Sequence, residues 1–438
     1  MSKSTQAPGR NRLKQSVRWG MYHGVPRAAL ARVARKGDLS AQVLVSVGAS
    51  EPADLIPLLD ALRSDGELHQ GRLSSTASSH AAVRELLASN DFQTGLELEG
   101  GPMDRVRAWA EDGILWPVTP PSMLATEPPD HTRYRKLATR VFTVRAVEKL
   151  RARTQEIADA LLDELDPTSP VDLAAQYCAR LPLAVICEIL GVRPEDQDRV
   201  LRLGTAVAPS IDVGLSWRAF RDVEASLVEF QEWLAEHLAH LREHPSDNLL
   251  SQLAAATEDG TGLTDDELKI NAALILTAGF ETTVNLIGNG ISLLDRHPDQ
   301  LARLQADPTL WLNTVDEVLR VDPPVLMSAR MAVRDTVVAG APVARGTVVT
   351  ALLAGANRDA GVFTDPHTFD VGRGNAGQHL AFSAGRHFCL GASLARMEGE
   401  VGLRTLFQRY PDLSLLPGAR RRSTQVLRGF EVLPARLV

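Results

Sequence analysis

Cys389 is the residue of this sequence best suited to do chemistry. It lies in the segment 382–392 (FSAGRHFCLGA), where three small residues precede the cysteine and Gly391 follows it. Small residues let the backbone approach a flat ligand closely. A helix is expected over 390–407, and the amide N–H groups and macrodipole of its N-terminus favour a thiolate. A thiolate held this way under a glycine-lined surface is suited to be an axial haem ligand.

The segment around Cys389 resembles the haem-binding loop of the cytochrome P450 superfamily. That loop has the pattern Phe-x-x-Gly-x-x-x-Cys-x-Gly, which Phe382, Gly385, Cys389 and Gly391 match. The resemblance implies that Cys389 ligates the iron of haem b and that the bound haem activates O₂. Its thiolate donates electron density that favours O–O cleavage.

A second match lies in residues 278–283 (AGFETT), within a long predicted helix. The resemblance implies that Ala278 lies against the haem and that Gly279 leaves room beside O₂. It also implies that Glu281 and Thr282 relay protons to the distal oxygen, which is general acid–base chemistry. Glu281 stands where many members have Asp.

Further matches concern ionic contacts. The resemblance implies a buried structural network of Glu317, Arg320 and Arg373, the first two of which share a helix face at i and i+3. It also implies four residues that contact the haem propionates. These are His131, Arg135, Arg330 and His387.

The distal pocket can be outlined in the same way. The resemblance implies a mostly apolar lining and therefore a lipophilic substrate. The expected lining residues are Leu96, Leu115, Trp116, Ile211, Leu274, Ala278, Val325, Leu326 and Val426.

The elements that position these residues are mostly helices. Apolar residues recur at helical spacing over 150–166 and 219–243, and most clearly over 263–297, where Thr264 and Glu267 form a capping box. Short strands are expected at 336–338, 347–353 and 432–438, and the Gly- and Pro-rich interval 91–128 is expected to be a long loop. The predicted fold class is mainly α with small β-sheets, the cytochrome P450 fold, as one large haem domain over 41–438.

Composition excludes several other classes of protein. The chain has 438 residues and three cysteines, Cys178, Cys187 and Cys389, with no CxxC pair. A disulfide framework, a zinc ribbon and c-type haem attachment are therefore excluded. No run of eighteen apolar residues occurs, so no transmembrane helix is expected.

The first 40 residues form a basic lead-in, expected to be partly helical or flexible. Nine basic residues precede Asp38, the first acid, in a chain of net charge −7. Such an arm can bind nucleic acid, an anionic membrane surface or an acidic partner, and its composition overlaps with organelle transit peptides. We expect no nucleic-acid binding and a cytoplasmic protein, with weak membrane-surface association left open.

Beyond these motifs, the sequence resembles soluble actinobacterial, mycobacterial-type P450 monooxygenases. The resemblance implies insertion of one oxygen atom, by hydroxylation or epoxidation, into a lipid, sterol, terpenoid or polyketide. Electrons would come from NAD(P)H through a separate ferredoxin and ferredoxin reductase, since no nucleotide-binding fingerprint follows Cys389. A ferredoxin could dock on basic residues of the cysteine side, and the enzyme is expected to be a monomer. The basic residues are Arg133, Lys136, Arg140, Arg386 and Arg396.

Two alternatives remain beside a monooxygenase. A peroxide-driven peroxygenase typically lacks the acid–threonine pair, so Glu281 and Thr282 argue against it. A haem sensor or carrier without turnover would not need that pair either.

Overall fold

Helices make up most of the part of the chain that the structure describes. The computed structural model describes residues 12–46, 52–95, 103–111, 113–139, 142, 144–212, 214–246, 248–258 and 261–437. The α-helices within these ranges are α1 Arg12–Trp19, α2 Val25–Ala34, α3 Leu39–Ser46, α4 Pro52–Ser64, α5 His80–Ala88, α6 Asp104–Ala110, α7 Asp130–Thr139, α8 Val144–Asp163, α9 Arg180–Leu190, α10 Gln197–Val207, α11 Trp217–Glu243, α12 Leu249–Ala255, α13 Asp265–Arg296, α14 Pro298–Ala306, α15 Trp311–Val321, α16 Leu353–Ala356 and α17 Ala392–Arg409.

The strands are short and lie in small sheets. They are β1 Leu68–Gln70, β2 Ser75–Ala77, β3 Phe92–Gln93, β4 Val171–Asp172, β5 Thr257–Glu258, β6 Thr261–Gly262, β7 Ser328–Ala332, β8 Thr336–Val338, β9 Ala341–Val343, β10 Val348–Ala351, β11 Ser414–Leu415, β12 Arg420–Arg421, β13 Phe430–Val432 and β14 Pro434–Arg436. The largest sheet has the order β1-β2-β10-β7-β3, in which only the β2–β10 pair is parallel. A three-stranded sheet has the order β11-β14-β4, and three two-stranded sheets complete the set described. The predicted class, mainly α with small β-sheets, is confirmed.

Helix α13 organises the core. It begins with the predicted capping box, in which the Glu267 amide donates to Thr264 Oγ1 and the Thr264 amide donates to Glu267 Oε2. It ends before His297 and Pro298 because a residue that precedes proline is disfavoured in the helical region. Its 32 residues span roughly 48 Å at 1.5 Å per residue. It packs against α9, α15 and α17, which places its middle in the main apolar core.

Helix α13 is also the relevant helix for the prediction that no helix crosses a membrane. Among the described helices, α13 alone is long and apolar enough to cross a membrane, and 83% of its most apolar window is buried inside the protein. The sequence criterion of an unbroken apolar run did not select it, since Glu281, Asn285 and Asn289 interrupt its apolar residues.

The basic N-terminal segment docks on the rest of the chain. Arg18 Nε donates to Glu224 Oε1 on α11 over 3.1 Å, and its Nη1 donates to the Ala110 carbonyl oxygen on α6. Glu224 is fully buried, so this pair is shielded from solvent. Trp19 Nε1 donates to the Leu215 carbonyl oxygen over 2.9 Å. Residues 12–24 therefore connect α6 to the start of α11.

Three predicted elements differ in detail from the structure. The interval 91–128 contains β3 and α6, and so it is not one continuous loop. The predicted strand 432–438 divides into β13 and β14, which pair in different sheets, and Val438 lies outside the described residues. Helix α17 begins at Ala392, since Gly391 has φ −88° and ψ 13° and acts as its N-cap. Cys389 therefore lies just before the helix.

Candidate functional site

The loop that carries Cys389 closes on itself. The Cys389 amide donates to the Phe382 carbonyl oxygen over 2.9 Å, which joins the two ends of the loop. Between them Gly385 has φ +68°, a conformation that side chains rarely adopt, and an added Cβ would lie 2.6 Å from the Leu87 carbonyl oxygen. Only glycine fits there, so the loop can lie flat against α5. An added Cβ at Gly391 would meet nothing within 4 Å.

The Cys389 thiol is both exposed and crowded. Its surface is accessible, while the protein packed around it raises the pKa of the thiol by desolvation. A thiol that is accessible and yet closely surrounded by protein is open to a ligand only from its accessible side. A backbone hydrogen bond from Gly391 and the charges of Arg135 and Arg396 lower the pKa but do not outweigh the desolvation. The predicted stabilisation of a thiolate by the helix start is thus present but smaller than the cost of burial.

Imidazole and guanidinium groups gather beside this cysteine. The rings of His131 on α7 and His387 lie with centroids 4.4 Å apart. Burial, and then the charges of His387 and Arg135, lowers the pKa of His131 to about 4, so His131 is neutral near pH 7. Arg330 on β7 is 5% exposed, and burial lowers its pKa to about 10, which leaves it charged.

Glu127 balances part of this positive charge. Its Oε2 accepts from Arg386 Nη1 over 2.9 Å, and its Oε1 lies 3.6 Å from His387 Nε2. Burial opposes ionisation of Glu127, but contacts with His387, Thr94 and Arg386 outweigh it and lower the pKa to about 2. The sequence reasoning missed Glu127, although an acid four residues before His131 at a helix start was a readable signal.

These residues fit a thiolate-ligated haem. A ligand with two carboxylate groups needs cationic and hydrogen-bonding partners, which Arg135, Arg330, His131 and His387 supply. His387 Nε2 is buried 3.6 Å from Glu127 Oε1, beyond hydrogen-bond distance, so a ligand carboxylate can compete for its N–H group. A sulfur ligand is accessible at the same place. Cys389 would ligate the haem iron, and this cluster would bind the propionates.

One face of α13 turns towards the cysteine loop. Leu274 packs with Met123 and Tyr134, and Ala278 and Leu390 lie against the same small cluster. Leu390 follows Cys389 directly, so this cluster joins the middle of α13 to the cysteine loop. Thr282, one turn beyond Ala278, donates from Oγ1 to the Ala278 carbonyl oxygen over 2.8 Å. Such a bond from a threonine hydroxyl weakens and bends a helix locally.

Glu281 points to another side of α13. It is 1% exposed, and its Oε1 lies 3.2 Å from Arg422 Nε without the geometry of a hydrogen bond. Desolvation raises the pKa of Glu281, and the charge of Arg422 opposes this rise. A buried acid with a raised pKa and no fixed hydrogen bond is suited to exchange a proton.

Gly279 lies where α13 packs on α9. A Cβ added to Gly279 would point at Ile186 Cδ1 on α9, 3.3 Å away. Its missing side chain therefore serves the close packing of α13 on α9. The role expected of Gly279 beside O₂ stays a prediction.

The structure brings together all three members of the predicted ionic network. Arg320 donates from Nε and Nη2 to the two carboxylate oxygens of Glu317 over 2.7 and 2.8 Å, and Arg373 Nε donates to Glu317 Oε1 over 3.1 Å. Glu317 and Arg320 are fully buried. Arg320 also donates to the carbonyl oxygens of Asn357, Pro366 and Thr368, which fixes the chain that leads to the cysteine loop.

Comparisons with known proteins agree with this geometry. The sequence model of the family "Cytochrome P450" matches residues 209–425. A protein of Mycobacterium tuberculosis named cytochrome P450 140 is 47% identical over 432 residues, which cover 97% of this chain and 98% of the relative. The chain belongs to the cytochrome P450 family. It is a P450 monooxygenase of the actinobacterial type, and the family implies thiolate-ligated haem and O₂.

Two further relatives of this P450 are informative. The vitamin D(3) 25-hydroxylase of Pseudonocardia autotrophica is 41% identical over 324 residues, which cover 73% of this chain and 78% of the relative. The crystal structure of P450BioI in complex with hexadec-9Z-enoic acid ligated acyl carrier protein has a TM-score of 0.81 at 30% identity. The two structures align over 88% of this chain and 99% of the P450BioI chain.

The predicted pocket residues of the P450 fall into separate groups. Leu274 and Ala278 share the cluster at the cysteine loop, whereas Leu326 and Val426 pack together beside α4. Val325 packs beside the largest sheet, next to an isolated bridge that it forms with Leu427. Trp116 stacks on Phe220 with centroids 5.6 Å apart. Leu96 lies outside the described residues.

Two of the pockets on the described surface of the P450 contain no residue of the cysteine loop. One is lined by α2 and α3, and the other by α13 and the segment 415–430. The site chemistry therefore does not coincide with either surface pocket.

Three of the basic residues predicted to attract a ferredoxin are engaged within the P450. Arg133 donates to Glu267 Oε1 over 2.6 Å, Arg386 pairs with Glu127, and Arg396 donates to Asp316 over 2.7 Å. Lys136 on α7 is exposed, and Arg140 lies outside the described residues. The sequence reasoning counted charges on these segments but could not see that neighbouring acids neutralise them.

Proposed function

We propose that this P450 inserts one oxygen atom of O₂ into a lipophilic small molecule, by hydroxylation or epoxidation. The observation that carries the proposal is the gathering of His131, Arg135, Arg330 and His387 around an accessible cysteine thiol. When haem is bound there, it activates O₂ and oxidises an unactivated bond. The reaction consumes O₂, two electrons and two protons, and it yields the oxidised product and water.

The residues of the chain divide into three tasks. Cys389 ligates the iron, and Phe382, Gly385 and Gly391 shape the loop under the haem. His131, Arg135, Arg330 and His387 hold the propionates, and His131 does so as a neutral hydrogen-bond donor. Glu281 and Thr282 move protons to the oxygen, Glu281 from its buried position and Thr282 from the face beside Ala278.

The substrate class rests on the apolar face and on the relatives. Leu274 and Ala278 present aliphatic surface beside the cysteine loop, which favours a lipophilic molecule. A vitamin D(3) hydroxylase and a P450 bound to a fatty-acyl carrier protein stand among the similar proteins. We infer a lipid, sterol, terpenoid or polyketide substrate.

Electrons are proposed to come from NAD(P)H through a separate ferredoxin reductase and ferredoxin. We also propose that residues 41–438 form a single haem domain and that the protein acts in the cytoplasm as a monomer. Burial raises the pKa of Cys187 to about 12 and that of Cys178 further, so both are neutral core thiols suited to a reducing compartment.

The first test is the carbon monoxide difference spectrum of the reduced, haem-loaded protein. We expect the long-wavelength Soret band of thiolate ligation in the wild type and its loss in Cys389→Ser. Cys187→Ala is the matched control, since this buried thiol should leave the band unchanged. A thiolate-type band that persists in Cys389→Ser would contradict the proposal.

A second measurement separates the alternatives. A monooxygenase should turn over with O₂, NADPH, ferredoxin and its reductase, and Thr282→Ala should divert electrons from product to hydrogen peroxide. A peroxygenase would turn over with added peroxide and be insensitive to Thr282→Ala. A haem sensor or carrier would yield no product under either condition.

A further inference from the structure

A row of polar side chains runs along α13 from Glu281 to the protein surface. The residues Glu281, Asn285, Asn289 and Ser292 are spaced by four, four and three positions, which places them on one side of the helix. Each is at most 6% exposed, in a helix that is otherwise mainly apolar. The row covers roughly 16 Å at 1.5 Å per residue.

The outer end of the row reaches a surface pocket of about 450 Å³. Ser292 on α13 and Arg420, Arg421 and Arg422 line this pocket. At roughly 30 Å³ for each molecule, its volume accommodates more than ten waters. The row therefore begins at bulk solvent.

Arginines of the facing segment contact two members of the row, Asn289 and Glu281. Arg421, which lines the pocket, donates from Nη1 to Asn289 Oδ1 over 3.0 Å. Asn289 Nδ2 donates to the carbonyl oxygens of Asp322 and Arg428 over 2.9 and 3.2 Å. Arg422 lines the pocket with part of its side chain and lies 3.2 Å from Glu281.

The side chains of the two inner members of the row make no hydrogen bond. Both side-chain atoms of Asn285 and both carboxylate oxygens of Glu281 are buried without a hydrogen bond. An unsatisfied buried polar group costs about 1–3 kcal/mol, so bound water at these atoms is favoured. Gly429 leaves the space for Asn285, because an added Cβ there would lie 1.8 Å from Asn285 Oδ1.

We propose that the row Glu281–Asn285–Asn289–Ser292 is a hydrated route that carries protons from the surface pocket to Glu281. Arg422 positions the carboxylate of Glu281 towards this route and favours its ionised form between deliveries. A proton from bulk solvent enters through the pocket and is accepted by the ionised carboxylate of Glu281, which passes it on towards Thr282 and so returns to its ionised form. The inference deepens the proposed function, since it rests on Glu281 being the proton-relay acid.

The test measures how fast the Glu281 carboxyl group exchanges its proton for deuterium. The haem-loaded ferric protein is mixed with D₂O at a pH below the midpoint at which the carboxyl band of Glu281 titrates, so that this group is protonated at the start. The carboxyl stretch is followed by rapid infrared spectroscopy and is assigned by its absence in Glu281→Gln. This readout needs neither substrate nor turnover.

Asn285→Leu should slow the exchange at least tenfold, because it replaces a polar member by an apolar side chain of similar size. Asn285→Ser should exchange faster than Asn285→Leu, since serine supplies a polar hydroxyl group and leaves room for water. Arg422→Gln should raise the midpoint at which the carboxyl band titrates. Arg420→Gln is the control for the pocket, because Arg420 pairs with Glu431 at the surface and not with Glu281.

Exchange at the wild-type rate in Asn285→Leu would overturn the route, and so would the absence of a carboxyl band assignable to Glu281. Thr282→Ala and Glu281→Gln, measured as the yield of hydrogen peroxide during turnover, test the relay itself. If these two variants uncouple the enzyme while Asn285→Leu exchanges normally, the route fails and the proposed function stands. If exchange depends on Asn285 but Glu281→Gln leaves turnover fully coupled, the proposed relay fails.

Discussion

At the scale of single residues, buried acids of this P450 neutralise the charges of neighbouring arginines. Glu317 is fully buried and accepts hydrogen bonds from two guanidinium groups, so its carboxylate neutralises charge that no solvent reaches. Glu431 has the same chemistry at the surface, where its side chain is 55% exposed and its partner Arg420 is 62% exposed. The two glutamates differ mainly in their exposure to water and in the number of their guanidinium partners.

Glu317→Gln should therefore destabilise the protein strongly. It leaves Arg320 and Arg373 buried without their counter-charge, and removal of one partner of a buried ion pair costs about 3–5 kcal/mol. The measurement is the free energy of unfolding of the haem-loaded protein in urea. Glu431→Gln is the matched control and should leave this free energy nearly unchanged. Equal effects of both variants would contradict the role assigned to the buried network.

At the scale of elements, the N-terminal segment 12–24 is held by specific contacts. His23 is 7% exposed and its Nδ1 accepts a hydrogen bond from the Leu215 amide over 3.3 Å, while its ring lies 5.3 Å from that of Phe220. Burial lowers the pKa of His23 to about 4. A protonated ring could not accept the Leu215 hydrogen bond, so docking requires the neutral form.

The docking of this segment should weaken in acid. The pKa of His23 is lower in the folded than in the unfolded chain, so its contribution is complete above about pH 6.5 and is lost as pH falls towards 4. The loss in the free energy of unfolding is at most about 3 kcal/mol, and screening by solvent makes it smaller. We expect His23→Asn to unfold at a temperature that changes less between pH 7 and about pH 4.5 than that of the wild type. If the unfolding temperatures of the two proteins fell equally with pH, His23 would be excluded as the cause of the acid sensitivity.

At the scale of the whole molecule, the basic charge on the cysteine side is smaller than the sequence suggests. Arg133, Arg386 and Arg396 pair with acids of the same chain, and reversal of Arg133 would break its link to Glu267 at the start of α13. A charge reversal at exposed Lys136 leaves these three ion pairs in place, so it tests the docking of an acidic ferredoxin without breaking them.

Lys136→Glu should slow reduction of the haem by ferredoxin several-fold at low salt, and the difference should shrink as ionic strength rises. The rate is measured with NADPH, ferredoxin reductase and ferredoxin in excess. Arg218→Glu is the control, because Arg218 is 94% exposed on α11, outside the cysteine side. A Lys136→Glu protein reduced at the wild-type rate at every salt concentration would place the docking surface elsewhere.

The sequence by itself determined the fold class, the long helix and the family. These depend on local signals: the capping box at Thr264, the apolar periodicity of α13 and the small residues around Cys389. Such signals lie within one helix turn or one loop, so no distant contact is needed to read them. The spacing of Glu317 and Arg320 likewise predicted a shared helix face.

The tertiary structure alone decided what the side chains meet. It showed that Gly279 faces Ile186, that Glu127 lies among the haem-side cations, and that the basic N-terminal segment docks through Arg18 and Glu224. It also brought Arg422 to Glu281, although 140 residues separate them in the chain. Direction, burial and charge pairing depend on contacts between segments far apart in sequence, and residue type and spacing along the chain do not encode them locally.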